Sequence, residues 1–140
     1  MSTQRTAILV GTDGSAPSDR AIGWAADEAA RLGGELHILH VLETPTKPTP
    51  GGTGGDTASL VDAWNPVLRA GRDAALRRHP DLKVVEDVVV GHPVQMLARA
   101  SAEADLIVVG SRGRSFPLGS VGHGVIHHAH CPVAVVRPHD

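Results

Sequence analysis

Residues 106–120, LIVVGSRGRSFPLGS, combine the features that decide the fold. The apolar run 106–109 predicts a short strand that is buried on both faces. Gly110 and Gly113 follow in a loop, and a helical pattern begins at Ser120. Glycines let the backbone approach an anion closely, and the first N–H groups of a helix attract negative charge. A strand, a glycine loop and a helix start in this order therefore predict a site that receives phosphate.

A second stretch of the same kind lies near the start of the chain. Residues 7–10, AILV, predict a strand, and residues 11–15, GTDGS, predict a glycine-containing loop. A helical pattern follows from Pro17, with Ser15 or Ala16 as its cap, because proline is favoured in a first turn. We expect the rest of the chain to hold these two loops opposite each other.

The remaining periodicities alternate between strand and helix. The predicted strands are 36–42, 83–90 and 133–136, and the predicted helices are 59–79, 93–104 and 120–129. Leu32, Leu60 and Val67 have the spacing of apolar helix stripes. Pro66 predicts a kink in the early part of its helix or a later helix start. The alternation predicts an α/β fold, a three-layer open sheet of five parallel strands with helices on both faces. If the chain winds outwards and then returns, the strand order is 3-2-1-4-5 and the two loops meet at the crevice between strands 1 and 4.

Length and composition favour a single domain over residues 1–140. Hydrophobic residues make up 41% and aromatic residues 2%, so small aliphatic side chains must form the core. A formal charge of −2 gives no electrostatic basis for binding nucleic acid. The one cysteine favours a reducing compartment, and the apolar runs are too short for a membrane helix or signal peptide. We therefore expect a cytoplasmic protein without a membrane partner, and a flexible connector at 43–58, which is rich in Pro, Gly and Thr.

Several motifs together resemble the universal stress protein family. They are VGTDGS after the first strand, HILHVLE at the second, GHP before the third helix, and DLIVVGSRGR, LGSV and HHAHCPVAVV towards the end. The resemblance covers nearly the whole chain apart from the 43–58 connector. It implies the 3-2-1-4-5 sheet of the adenine nucleotide alpha hydrolase-like fold and a role in stress response. It also implies an adenine nucleotide ligand, with ATP, alone or with Mg²⁺, as the first candidate and AMP or ADP as alternatives.

The resemblance further implies which residues bind the nucleotide. Asp13 is expected to accept a hydrogen bond from the adenine amine, and the backbone of Val41 is expected to meet the adenine edge. The implied set is Gly11, Thr12, Asp13, Val41, Val109, Gly110, Arg112, Gly113, Gly119, Ser120 and Val121. The family signature has nine residues between its second glycine and its Gly-Ser pair, whereas this chain has only five, residues 114–118. Gly122 stands where the family usually has Ser or Thr.

Each of these residues also has a simpler structural interpretation. Asp13 can order the loop as an Asx turn, Gly110 and Gly113 can serve a tight turn, and Ser120 can cap a helix. The short phosphate loop favours a second function, a nucleotide-free dimeric interaction protein. A slow nucleotide hydrolase is a third, but GxxxxGK[ST] and GxSxG motifs are absent, so we expect no catalytic residues and at most slow ATP hydrolysis.

The end of the chain carries two further expectations. His123 and His127 are four residues apart and His130 and Cys131 follow, but zinc needs a third convergent ligand, so we expect no metal site and a small buried Cys131. The apolar strand 133–136 is predicted at the sheet edge, where unpaired backbone groups favour association. Pairing with a second copy predicts a homodimer, which the family resemblance also implies.

Overall fold

The computed structural model describes residues 6–43, 57–111 and 120–137. Its elements are β1 (Ala7–Gly11), α1 (Ala16–Arg31), β2 (Glu35–Leu42), α2 (Thr57–Arg78), β3 (Lys83–Val90), α3 (Pro93–Ser101), β4 (Leu106–Gly110), α4 (Ser120–His128) and β5 (Val133–Val136). The strands form one sheet in the order β3-β2-β1-β4-β5, and every neighbouring pair is parallel. The predicted fold class and strand order are confirmed.

The central strands bury side chains on both faces of the sheet, because successive residues of a strand point in opposite directions. Ile8 and Val10 of β1 pack in one apolar layer with residues of α1 and α2. Leu9, between them, packs in the other layer with Leu97 of α3 and Val125 of α4. Each fully buried aliphatic side chain of this size contributes about 1.5–3 kcal/mol. The two layers account for the apolar runs in the sequence that lack a period-two pattern.

α3 ends at Ser101, three residues before the predicted Ala104. The Ser101 hydroxyl donates to the carbonyl oxygen of Ala98 at 2.6 Å and accepts from the N–H of His130 at 2.8 Å. Beyond Ser101 the backbone closes in i→i−3 hydrogen bonds, which tighten the last turn and end the α-helix. The same hydroxyl joins this turn to the segment that precedes β5.

α2 begins at Thr57, two residues earlier than predicted, and contains Pro66 inside the helix. The alternative of a later helix start at Pro66 is therefore wrong. Leu32, Leu60 and Val67, which have the spacing of apolar helix stripes, are each more than one-third exposed. Leu32 is the C-cap of α1 and lies past its last buried turn. Residues 44–56 of the predicted connector lie outside the described residues, and its last two residues, 57 and 58, belong to α2.

Among the strands that the structure describes, β5 lies at an edge of the sheet, as predicted, and its one partner is β4. The carbonyl oxygens of Pro132 and Val136 accept hydrogen bonds from the β4 side. Peptide groups alternate in direction along a parallel strand, so the N–H of Val135 points away from β4. The outer edge of β5 therefore presents backbone hydrogen-bonding groups, including the N–H of Val135, that another strand could pair with.

Candidate functional site

A cleft of about 440 Å³ lies at the carboxyl edge of the sheet, above β1 and β4. The direction of winding reverses here, because β1 pairs with β2 on one side and with β4 on the other. α1, which follows β1, and α4, which follows β4, pack in the two different apolar layers of the sheet. Open parallel sheets bind ligands at such points.

The loop after β1 forms one wall of the cleft. The carboxylate Oδ1 of Asp13 accepts hydrogen bonds from the Ser15 N–H, at 2.9 Å, and from the Ser15 hydroxyl. Gly14 between them has a φ of 79°, a left-handed conformation that glycine adopts without steric cost. Ser15 caps α1 by accepting from the N–H of Ser18. The predicted Asx turn and the predicted cap are therefore present.

A directed chain of hydrogen bonds fixes the buried side of this loop. The Ser18 hydroxyl donates to the carbonyl oxygen of Ser15 at 2.9 Å, so it must accept from the Thr12 hydroxyl, 3.1 Å away. The Thr12 oxygen in turn accepts from the N–H of Gly14 at 3.1 Å. The Thr12 N–H donates to the carbonyl oxygen of Leu39 at 3.0 Å, which ties the loop to β2.

The rings of His40 and Trp64 complete this wall. Neither residue was predicted from the sequence as part of the site. His40 of β2 is buried, and its Nδ1 lies 2.7 Å from the Thr12 carbonyl oxygen. A carbonyl oxygen only accepts, so Nδ1 carries the proton and donates. Trp64 of α2 stacks on His40, with ring centroids 3.5 Å apart and planes inclined by 20°. The apolar spacing of α2 singled out Trp64, but no local pattern indicates its contact with a strand residue.

Gly110 brings the two sides of the cleft together. A Cβ at this position would lie 2.5 Å from the carbonyl oxygen of Pro17, closer than real Cβ atoms approach any atom. Glycine therefore lets the end of β4 lie directly against the first turn of α1. Through this close approach, Pro17 and Gly110 line the same cavity.

Most of the described candidate residues lie around the cleft. Those that line it are Gly11, Thr12, Asp13, Val41, Val109, Gly110 and Val121. Ser120 is the first residue of α4. Arg112, Gly113 and Gly119 lie outside the described residues. Residues of the cleft that the prediction omitted include His40, Trp64, Glu43 and Gly122.

The described lining of the cleft has an acidic character. It contains the carboxylates of Asp13 and Glu43, while no Lys or Arg occurs among the described lining residues. A second cavity of about 260 Å³ lies on the α3 face of the sheet and includes His37, Asp87 and Glu103 in its lining. The second cavity shares Leu39 with the cleft but is not lined by Asp13 or Gly110.

The histidine-rich segment near β5 forms no metal cluster within the ranges that the structure describes. His123 and His127 of α4 contact each other edge to face, with ring centroids 4.7 Å apart. Cys131 is half-buried against the α3–α4 layer rather than fully buried, and desolvation raises the pKa of its thiol. A thiol with a raised pKa is a weaker nucleophile and a weaker metal ligand at neutral pH.

The fold and the cleft define an open parallel α/β protein with a candidate small-molecule site at the switch point of its sheet. The model of the universal stress protein family matches residues 5–137. A universal stress protein of Mycobacterium tuberculosis H37Rv is 38% identical over 136 residues, which cover 94% of this chain and 48% of that protein. One from Mycobacterium bovis is 39% identical over 145 residues, covering 96% of this chain and 46% of that protein. This chain belongs to the universal stress protein family, and it spans about half the length of these curated relatives.

Solved structures of family members share the fold over nearly the whole chain. A universal stress protein crystallised in complex with cAMP is 31% identical, with a TM-score of 0.72, and the match covers 96% of this chain and 98% of that one. A universal stress protein from Archaeoglobus fulgidus in complex with dAMP is 26% identical, with a TM-score of 0.71, and the match covers 93% of this chain and 96% of that one.

The helices among the described residues include none that is long and apolar enough to cross a membrane.

Proposed function

We propose that this chain binds an adenine nucleotide in the cleft and acts in the cytoplasmic stress response through conformation or binding partners. ATP, alone or with Mg²⁺, is the first candidate ligand, and AMP and ADP are the alternatives. One observation carries the proposal: seven candidate residues from distant parts of the chain line the same cleft. The family members solved with cAMP and dAMP support adenine as the base.

The end of β2 supplies backbone groups suited to the edge of a base. The carbonyl oxygen of Leu39 accepts from Thr12, the first residue after β1. Peptide groups alternate in direction along the strand, so those of Val41 face the same side as those of Leu39. β1 ends opposite Leu39, so the N–H and C=O of Val41 face the cleft beyond the last paired residue. The N–H of Val41 is suited to donate to N1 of adenine, and its carbonyl oxygen is suited to accept from the adjacent amine.

Asp13 supports recognition of the adenine amine. Its Oδ1 is occupied by Ser15, which fixes the orientation of the carboxylate. A carboxylate has about four acceptor positions, so ordering the loop and accepting from a ligand are compatible roles. A hydrogen bond from the amine to this ionised group is stronger than one between neutral groups.

The phosphates are assigned to the start of α4. Val121 and Gly122, in the first turn of α4, line the cleft opposite Gly110. The first N–H groups and the dipole of a helix start attract negative charge. Because the described lining offers carboxylates and no basic side chain, the outer phosphates of ATP depend on Arg112 and the glycines of the short loop. Equal affinity for AMP and ATP is the expected result if that loop does not hold them.

Calorimetric titration with AMP, ADP and ATP plus Mg²⁺ tests this proposal. Asp13→Ala should weaken binding of each nucleotide by about tenfold or more, since a hydrogen bond to a charged group contributes about 1.5–3 kcal/mol. Asp73→Ala is the matched control, because Asp73 is exposed on α2 and does not line the cleft. Folded wild-type protein that binds none of the three at millimolar concentration would remove the proposal.

A nucleotide-free dimeric interaction protein is the second candidate. The edge position of β5 favours it, because the half-buried valines of Val133–Val136 and the outward N–H of Val135 leave a surface for a second copy. In this proposal two β5 strands pair antiparallel about a two-fold axis, which satisfies both edges. The nucleotide titration separates the candidates, since only the first requires an occupied cleft.

A further inference from the structure

His40 and Trp64 form a stacked pair in the wall of the cleft. Neither side chain takes part in the nucleotide contacts proposed for Asp13, Val41 and the start of α4. His40 is 7% exposed, and Trp64 is half-buried on α2. Their nearly parallel rings, with centroids 3.5 Å apart, join a central strand to a helix from a distant part of the chain. Both side chains line the cleft, so their position affects whatever binds there.

The pair contacts the β1–α1 loop on both sides of Asp13. On one side, His40 Nδ1 donates to the carbonyl oxygen of Thr12 at 2.7 Å. On the other side, the benzene edge of Trp64 lies beside Gly14, where a Cβ would be 3.5 Å from Trp64 Cζ3. The two backbone positions that flank Asp13 therefore lie beside two rings that are themselves packed together, and Val67 also lies beside Gly14.

We propose that His40 and Trp64 are positioning residues that aim the Asp13 carboxylate at the six-position of the purine. This inference rests on the proposed nucleotide function. Asp13 is exposed, and hydrogen bonds weaken steeply when misaligned, so its selectivity depends on a fixed backbone. A correctly aimed carboxylate accepts from the amine of adenine, whereas it repels the carbonyl oxygen of hypoxanthine. The ring pair thereby controls the preference for AMP over IMP rather than nucleotide binding in general.

Titration of AMP and IMP into matched variants tests this role. Trp64→Leu removes the stack, so the Asp13 carboxylate is no longer aimed at the adenine amine. We expect the ratio of AMP to IMP affinity to fall by about tenfold, because this is the contribution of one hydrogen bond to a charged group. Trp64→Phe retains a ring on His40 and should keep the wild-type ratio. His40→Phe keeps a ring but removes the hydrogen bond to Thr12, so its ratio should fall. The control is Trp24→Leu, because Trp24 is 39% exposed on α1 and does not line the cleft.

The ratio separates positioning from a general loss of structure. Partial unfolding lowers the apparent affinities for AMP and IMP equally and leaves their ratio unchanged. AMP binding by wild type with an unchanged ratio in both Trp64→Leu and His40→Phe would overturn the positioning role alone. Failure of wild type to bind either nucleotide would overturn the proposed function as well.

Tryptophan emission gives a second measurement that does not depend on removing the stack. The chain has two tryptophans, so Trp24→Phe leaves Trp64 as the sole indole. Saturating AMP should change the emission of this variant and leave that of Trp64→Phe, which reports on Trp24, unaltered. An emission from Trp64 that does not respond to bound AMP would contradict its place in the wall of an occupied cleft.

Discussion

Gly110→Ala should destabilise the protein by about 2 kcal/mol, because the new methyl group has no space. Its Cβ would lie 2.5 Å from the Pro17 carbonyl oxygen and 2.8 Å from the carbonyl carbon. Both atoms belong to backbone, so β4 and the start of α1 must separate by roughly half an ångström to reach even the closest real contact. Overpacking of this kind costs about 1–3 kcal/mol. In a domain of this size the expected loss lowers the melting temperature by about 6 °C.

Urea denaturation followed by circular dichroism measures the effect, and Gly23→Ala provides the matched control. Gly23 lies in α1, and a Cβ there would meet nothing within 4 Å. Removing a glycine from a helix interior should therefore stabilise the control by up to about 1 kcal/mol. A Gly110→Ala protein with the stability of wild type would refute the claim that β4 is held against α1 by this close approach.

Three further predictions concern stability, assembly and turnover. The hydrogen bond from Arg78, more than that from His79, lowers the pKa of Asp27 below its usual value of 3.8. The ionised carboxylate therefore stabilises the folded protein above that pH, and this stabilisation is lost as the pH falls through the folded pKa. The melting-temperature gap between wild type and Asp27→Asn should accordingly narrow on acidification from about pH 7 to pH 3, and a constant gap would contradict the assignment. Val135→Pro removes an N–H that points away from β4 and would pair with the β5 strand of a second copy. Light scattering at micromolar concentration should therefore show a dimer for wild type and a folded monomer for the variant. A variant that stays dimeric would show that the interface lies elsewhere. Purified protein should turn over ATP far below the roughly 1–10³ s⁻¹ of typical enzymes, and a rate in that range abolished by Asp13→Ala would show catalysis.

The sequence predicted the architecture because its strands are short apolar runs separated by strong breakers. β3 and β5 have the bounds expected from 83–90 and 133–136. The end of α3 was missed because Ala102 to Ala104 continue the apolar helical pattern, while the Ser101 hydroxyl and i→i−3 hydrogen bonds end the helix. Such an end depends on a contact with His130, about 30 residues further along the chain, that no local pattern contains.

The cleft was predicted from its two loops but not from its side wall. Gly11 to Asp13 and Gly110 are recognisable because the residues that follow a buried parallel strand lie at the carboxyl edge. His40 is one of several buried positions in β2, and Trp64 has the spacing of a helix stripe residue. Their stacking depends on the path of α2 across the sheet, which is a tertiary feature. Neither the residue types nor their spacing in the sequence indicates that His40 and Trp64 stack on each other.

Backbone amide chemical shifts during an AMP titration locate the bound nucleotide residue by residue. We expect the amide of Val41 to shift strongly, together with those of Asp13 and Gly110, because the base and its ribose occupy the cleft. The amides of Asp87 and Glu103, in the second cavity, should remain in place. Shifts confined to that second cavity, or no shift at millimolar AMP, would contradict the assignment of a nucleotide site between β1 and β4.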